Sequence, residues 1–261
     1  LRSGVEDIES HLSDISRKIN ISESFDSTYS LTRISKEWST DEGNKQYGNI
    51  YFRGAVTAEL LDIRLLELSD GTRGLREVYL DLIKKYGKEK PFENEKFFDV
   101  VVNITYPEIE NFITDYIEGT VPLPYVEYFE KLGINYIFSQ PSENKTPILG
   151  IHLGSSDGEH LSINGFSTVH KNFGLEEGDI ILQVFGEDIT LENSDEIMDQ
   201  KNKMNPGDTY EVTVKRGEEE LTFTGTLFER MDYHILKVDA NCTDDQKEFR
   251  NVWSDHLSIN K

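Results

Sequence analysis

The chain has 261 residues, with 49 acidic against 27 basic side chains (net charge −22), 36% hydrophobic residues and 11% aromatics. That apolar content can fill real cores, which excludes a disordered chain, and the acidity argues against nucleic acid, whose phosphates draw on clustered Lys and Arg. Its single cysteine, Cys242, permits neither an intrachain disulfide nor a cysteine-based zinc site, and no apolar run approaches the ~20 residues of a membrane-spanning helix.

The length suits two domains of ordinary size, and the surplus of acids serves solubility. The opening LRSGVEDIES is not a signal peptide. A start at Leu1 reads as a processed or excised piece, so localisation stays open. A soluble protein is expected, and a bacterial periplasmic or exported one if the full gene encodes a signal peptide.

The first half reads as helical. Val5, Ile8, His11, Leu12, Ile15 and Ile19 recur at helical spacing. SESFDSTYSLTRIS and the polar stretch 39–49 read as intervening loops. From Ala55 to Leu68, Val56, Leu60, Leu61, Ile63, Leu65 and Leu68 give the broad apolar face of a well-buried helix, stopped by the turn signal SDG. Leu75, Val78, Tyr79, Leu82, Ile83 and Tyr86 form a second, with Gly87 as the expected C-cap. PFENEKFFDVVVN predicts a third helix and Ile109–Glu118 a fourth. In VPLPYVEYFEKLG, two prolines set an extended entry before a short helix that ends at Gly133.

From about Ile134 the pattern changes to short β runs between turns: INYIFS, ILGIHLG, LSING, DIILQVFG, YEVTVKR and ELTFTGTLF. ENSDEIMDQKNKM is a short helix, with Asn193 or Ser194 as N-cap. SQPSENKTP has linker composition. The expected organisation is a helical region over 1–138, a linker over 139–147, a small β-rich domain over 148–228 and a strand–helix tail over 229–261.

FGLEEGDIILQVFGEDI is the most specific stretch. It resembles the core of a PDZ domain of the bacterial protease-associated type, A-G-L-x-x-G-D-x-I-x-x-(I/V)-(N/D)-G. Gly174, Leu175, Gly178, Asp179, Ile181 and Gly186 match, whereas Phe173 and Phe185 depart. The resemblance implies capture of peptide or protein C-termini, or extended apolar segments, by strand addition. Leu149, Gly150 and Ile151 would form the carboxylate-holding loop, and Ser194, Ile197 and Met198 the opposite wall. ILGIHL can equally be a plain core strand, and both readings stay open.

Spaced elements along the whole chain resemble the C-terminal portion of the glycyl aminopeptidase family, PDZ-containing zinc metallopeptidases with a thermolysin-like catalytic domain. These are SESFDSTY, Tyr51-Phe52-Arg53-Gly54-Ala55 (family Y-x-K-G-A), Leu60-Leu61-Asp62-Ile63-Arg64 with Gly71, Asp115–Gly119, Pro122-Leu123-Pro124-Tyr125, and Asp244-Asp245-Gln246 through Trp253. The implied fold class is α+β: an all-α lobe of the thermolysin-like type followed by a PDZ domain. The resemblance makes Tyr51 the hydroxyl that stabilises the oxyanion of the tetrahedral intermediate, with Tyr47 a nearby alternative. Gly54 would let the helix start close to the pocket floor. Arg53 replaces the family's lysine, keeping charge but changing geometry.

The family's chemistry needs zinc held by H-E-x-x-H and a further Glu. None of His11, His152, His160, His170, His234 and His256 belongs to such a motif. His152 and His160 flank a turn, a weak basis for a metal. The expectation is therefore no metal or cofactor in this chain, zinc in the parent enzyme, and no activity of this piece alone. The alternative is a non-catalytic peptide-binding scaffold with a degenerate peptidase region.

Overall fold

The computed structural model describes residues 7–87, 89–155, 157–167 and 173–257. Val5 and His170 lie outside them. The protein is α+β and divides into two compact units, Leu1–Ser139 with Tyr233–Lys261, and Gln140–Asp232.

The first unit is built around two amphipathic helices. Helix α1 (Ile8–Ser22) starts where Asp7 accepts the Ser10 amide at 2.8 Å and buries Leu12, Ile15 and Ile19. Helix α4 (Asn49–Leu68) supplies the other side of that contact with Val56, Leu60, Ile63, Leu65 and Leu66. Each such side chain, fully buried, contributes roughly 1.5–3 kcal/mol of transfer free energy.

Two short helices, α2 (Leu31–Glu37) and α3 (Asp41–Gln46), stand where loops were expected. The missed signal is the N-cap hydroxyl: Ser30 accepts the Arg33 amide and Thr40 the Gly43 amide, both at 3.1 Å. Neither helix is long enough to display a convincing apolar period.

Helix α4 begins at Asn49, six residues before the expected start, so Gly54 lies in its interior. After it come α5 (Leu75–Lys85), α6 (Phe97–Ile104), α7 (Ile109–Phe112), which continues as a π-helical segment Ile113–Glu118, and α8 (Tyr125–Lys131). Gly87 does not cap α5. Tyr86 takes the cap position in extended backbone, and Gly87 pairs with Lys90. The first amide of α5 is held by Asp62 of α4, whose carboxylate accepts Leu75 N–H at 2.6 Å.

Strand β1 (Ile134–Pro141) covers the first residues of the expected linker, because its partner is β8 (Met231–Val238), far away in sequence. Helix α10 (Asp244–Leu257) follows β8 and places Trp253, 0% exposed, in the core of the first unit. The expected tail is therefore part of the helical unit from Tyr233 onward.

The second unit holds a sheet of order β2-β3-β4-β6-β7, from β2 (Ile151–Gly154), β3 (Ser162–Phe166), β4 (Ile180–Val184), β6 (Thr209–Arg216) and β7 (Glu219–Thr226). Strand β5 (Glu187–Asp188) pairs with β4 off this path. Ile148 to Gly150 precede β2, and Ile148 pairs instead with Phe228. Helix α9 (Ser194–Met198) contributes Ile197 to a core with Ile163, Leu175, Ile181, Val184, Val212 and Val214.

The charge of this unit's turn is satisfied internally. Asp179, 2% exposed, accepts from Arg216 Nε and Nη2, both at 2.7 Å, and from the Glu176 amide at 2.9 Å. Burial pushes the Asp179 carboxyl up, but the Arg216 hydrogen bonds, the Glu176 amide and the Arg216 charge outweigh it and hold the group below the usual carboxylate range. The pair contributes stability above the unfolded carboxylate value of about 3.9, and that contribution is lost as pH falls through the lower folded value. Arg216→Ala is expected to lower stability in chemical denaturation near neutral pH, because it leaves the Asp179 carboxylate buried without its cation, and to flatten the acid dependence. Lys45→Ala, at an exposed ion pair, is expected to cost less than about 1 kcal/mol.

Candidate functional site

The first turn of α4 is open to solvent on one side and fitted tightly on the other. A Cβ at Gly48, the N-cap position, would lie 3.0 Å from Phe25 Cζ, so the glycine matches a ring pressed against the helix start. Phe25 belongs to the SESFDSTY stretch, whose Asp26 carboxylate accepts the Thr28 amide at 2.8 Å while the Asp26 amide donates to Gln46 Oε1 at 2.9 Å. The Phe25 and Phe52 rings lie 6.3 Å apart.

Tyr51 faces the open side and is 62% exposed. Its hydroxyl lies 3.3 Å from that of Tyr47, the rings edge-on at 5.8 Å, and Trp38 extends the row 6.5 Å from Tyr47. All three rings are exposed, a placement that calls for a binding or packing role. The hydrogen bond to Tyr51 raises the pKa of the Tyr47 phenol, so that it ionises less readily, and the charge of an ionised Tyr51 would add to that effect. Gly54 does not bring the helix against anything: a Cβ there would meet only Leu31 Cδ2, at an ordinary 3.9 Å.

Arg53 ties the helix to the V-P-L-P-Y segment by donating from Nη2 to the Val121 carbonyl at 3.0 Å. Beyond that junction the Tyr125 ring lies 5.2 Å from Tyr136, whose hydroxyl is 2.7 Å from His234 Nδ1. Burial raises the Tyr125 phenol, with Glu23 adding to the rise and Arg53 opposing it. Burial lowers the His234 imidazole, with Glu23 opposing, which favours its uncharged form. Tyr125, Tyr136, His234, Glu23 and Phe138 line a groove of about 680 Å³. Tyr136 and His234 were not singled out in the sequence, because nothing local announces a contact between residues nearly a hundred positions apart.

In the second unit the sequence-selected residues fall into two classes. Leu149 and Ile197, 6% and 4% exposed, are core residues, and the Leu149 carbonyl accepts the buried Tyr210 hydroxyl at 3.2 Å. Gly150 is buried at φ +79°, a left-handed conformation that glycine adopts without strain. Ile151, Ser194 and Met198 are half-buried, and the Ser194 hydroxyl donates to the Leu191 carbonyl at 3.2 Å. Strand β2 ends the strand order, so among the described residues its outer edge is unpaired in the sheet. A cavity of about 1020 Å³ in this unit is lined by Phe185, Glu196, Gln200, Met204 and Tyr210 among others, and by none of the six residues selected.

Among the described residues, no group of three or more His, Cys, Asp or Glu is placed to hold a metal. His160 Nδ1 instead meets Asp157 Oδ2 at 2.8 Å on the surface. The residues present do not fit the zinc site of the resembled family.

Neither a protein-family model nor a curated protein sequence matches the chain. Among solved structures, an aminopeptidase N family protein from Idiomarina loihiensis aligns with 96% of this chain at a TM-score of 0.68 and 22% identity, so the two share a fold. This chain spans 45% of that protein. The HtrA-type protease AlgW, solved with a decapeptide, aligns with 33% of this chain and 30% of its own at 18% identity, with a TM-score of 0.29 too low to carry weight.

The tyrosine pair is directly testable. Tyr51→Phe is expected to lower the pKa of Tyr47 toward that of a free tyrosine, followed by phenolate absorbance in alkaline titration against a Tyr47→Phe control. An unchanged titration would show that the hydroxyls do not interact.

Proposed function

We propose that the chain is the C-terminal portion of a zinc metallo-aminopeptidase of the glycyl aminopeptidase type, with a PDZ domain as its second unit, and that it is inactive alone. The observation that carries this reading is the Tyr51 hydroxyl. It is exposed at the start of the helix that bears the resembled Y-x-K-G-A motif and is backed by a second hydroxyl 3.3 Å away. The fold shared with an aminopeptidase N family protein over nearly the whole chain supports the same view.

The chemistry follows from the hydroxyl pair. In the arrangement where Tyr47 donates to the Tyr51 oxygen, the Tyr51 proton is left for an acceptor outside the chain. In peptide hydrolysis that acceptor is the carbonyl oxygen of the scissile bond, on which negative charge develops as the tetrahedral intermediate forms. A donor aimed at the developing charge stabilises the transition state more than the ground state. Arg53, anchored on Val121, keeps the first turn of α4 in place. The zinc, its ligands and the general base would belong to the part of the parent enzyme outside this chain.

In the parent enzyme, Tyr51→Phe is expected to lower kcat by about 10²–10³-fold with little change in KM, the signature of a lost oxyanion donor. Equal kcat would remove Tyr51 from the mechanism. The chain by itself is expected to hydrolyse no glycyl or alanyl substrate with zinc added. Turnover abolished by a chelator would overturn the reading of an incomplete enzyme.

The second unit would take an extended peptide along the free edge of β2, with Gly150 N–H and its neighbours facing the terminal carboxylate and the accessible parts of Ile151, Ser194 and Met198 facing side chains. Titration with a library of apolar C-terminal peptides is expected to give weak binding that a bulky residue at Gly150 abolishes. No binding at millimolar concentration would sink this part of the proposal and leave the peptidase assignment standing.

A further inference from the structure

The helical unit contains a cavity that the proposed function does not use. It measures about 470 Å³ and lies among α4, α5, α6 and the π-helical segment, with Leu75, Leu82, Phe98 and Val101 among its apolar walls. That volume falls in the range of small-molecule sites, which are mostly apolar with a few convergent polar groups. Here the polar groups are Glu59, Asp62 and His256.

Those groups carry unmet hydrogen-bonding capacity. Among the described residues, Glu59 Oε2 is buried without a partner, and its other oxygen is 3.5 Å from His11 Nε2, which is also buried and unbonded. His256 Nδ1 is buried without a hydrogen bond, although Glu77 Oε2 lies 3.2 Å away. Asp62 is 6% exposed and accepts from the Leu75 amide. Burial raises the Asp62 carboxyl to about 6, the Leu75 amide opposes the rise, Glu59 and Glu77 add to it and His256 opposes it. The carboxylates of Glu59, Asp62 and Glu77 thus converge on one region, with His11 and His256 interleaved. Arg76 also lines the cavity. A buried acceptor with no donor is costly, and a ligand that brings N–H donors into this end removes the cost.

We propose that this cavity binds a small amphiphilic amine, its apolar body between α5 and α6 and its ammonium donating to Glu59 and Asp62. An ammonium suits the site on two counts. It supplies several donors and no acceptor, and its charge is opposed by carboxylates that are poorly solvated. An apolar molecule without the amine would fill the cavity but leave Glu59 unsatisfied. An anion would gain the Arg76 guanidinium but face the carboxylates of Glu59 and Asp62.

The test uses three probes of one shape on the whole chain: 4-phenylbutylamine, 4-phenylbutanol and 4-phenylbutyrate, followed by titration calorimetry. At about pH 8 the amine is expected to bind at least ~10-fold tighter than the alcohol, and the acid most weakly. At about pH 5, with Asp62 protonated, amine affinity is expected to fall ~10-fold while alcohol affinity holds. Glu59→Gln and Asp62→Asn are each expected to weaken the amine and spare the alcohol. Asparagine retains an oxygen for the Leu75 amide, and retained alcohol binding reports that each variant is folded. Should one variant fail to fold, the other and the pH dependence decide. Acid binding as tight as the amine, amine and alcohol binding equally, amine binding indifferent to both variants, or no binding of any probe at millimolar concentration would each overturn the proposal.

Discussion

The helical unit depends on the burial of Trp253. Its indole is fully enclosed in the core of the first unit, 5.5 Å from the His11 ring, yet it arrives only after the whole second unit has been passed. Around it the closing contacts are specific. Arg250 donates to the Leu132 carbonyl at 2.7 Å, and the Asp239 amide donates to the Gly133 carbonyl at 2.9 Å. Gly133 sits at φ +61°, and a Cβ there would collide with the Cys242 side chain. Glycine is therefore required both by backbone conformation and by space. The core of the first unit is complete only when β8 and α10 have joined it, so its stability and that of its C-terminal segment cannot be separated.

That closure bears on the candidate site through β8. His234 reaches Tyr136 from β8, and Tyr136 packs against Tyr125, which follows directly on the segment that Arg53 grips. The N-terminal turn of α4 is thus held by side-chain contacts to elements distant in sequence rather than by a capping side chain, which Gly48 cannot supply. Tyr51 projects from a supported turn while staying exposed, an arrangement that suits a donor needing a fixed position and an external acceptor. The paired hydroxyl of Tyr47 gives it an orientation that a lone surface tyrosine lacks.

Legibility in the sequence followed the range of the interaction. The apolar stripe of α4, the helix over Asp244–Leu257 and the β runs of the second unit could be read directly, since each rests on a local period. The Gly178-Asp179 turn was legible too, although its partner Arg216 was not, being 37 residues away. Helices α2 and α3 went unread because their evidence is one capping hydroxyl each. The linker assignment at Ser139–Pro141 gave way because pairing with β8 outweighs a composition typical of loops. Of the candidate peptide-binding residues, Leu149 and Ile197 turned inward, a choice made by packing against Tyr210, Val212 and their neighbours that no alternation of residue types encodes.

By itself the sequence determined the α-to-β change of grammar near Ile134, most of the helices and strands, and the place of Tyr51 near the start of a buried helix. These follow from periodicity, turn chemistry and backbone propensity, which act over a few residues. Tertiary structure alone decided that the chain returns to finish its first unit, that His234 meets Tyr136, and that Glu59, Asp62 and His256 gather at one end of an apolar cavity. Each of these joins side chains from separate elements, and their meeting depends on how whole helices and strands pack, information spread over the core and present in no single stretch.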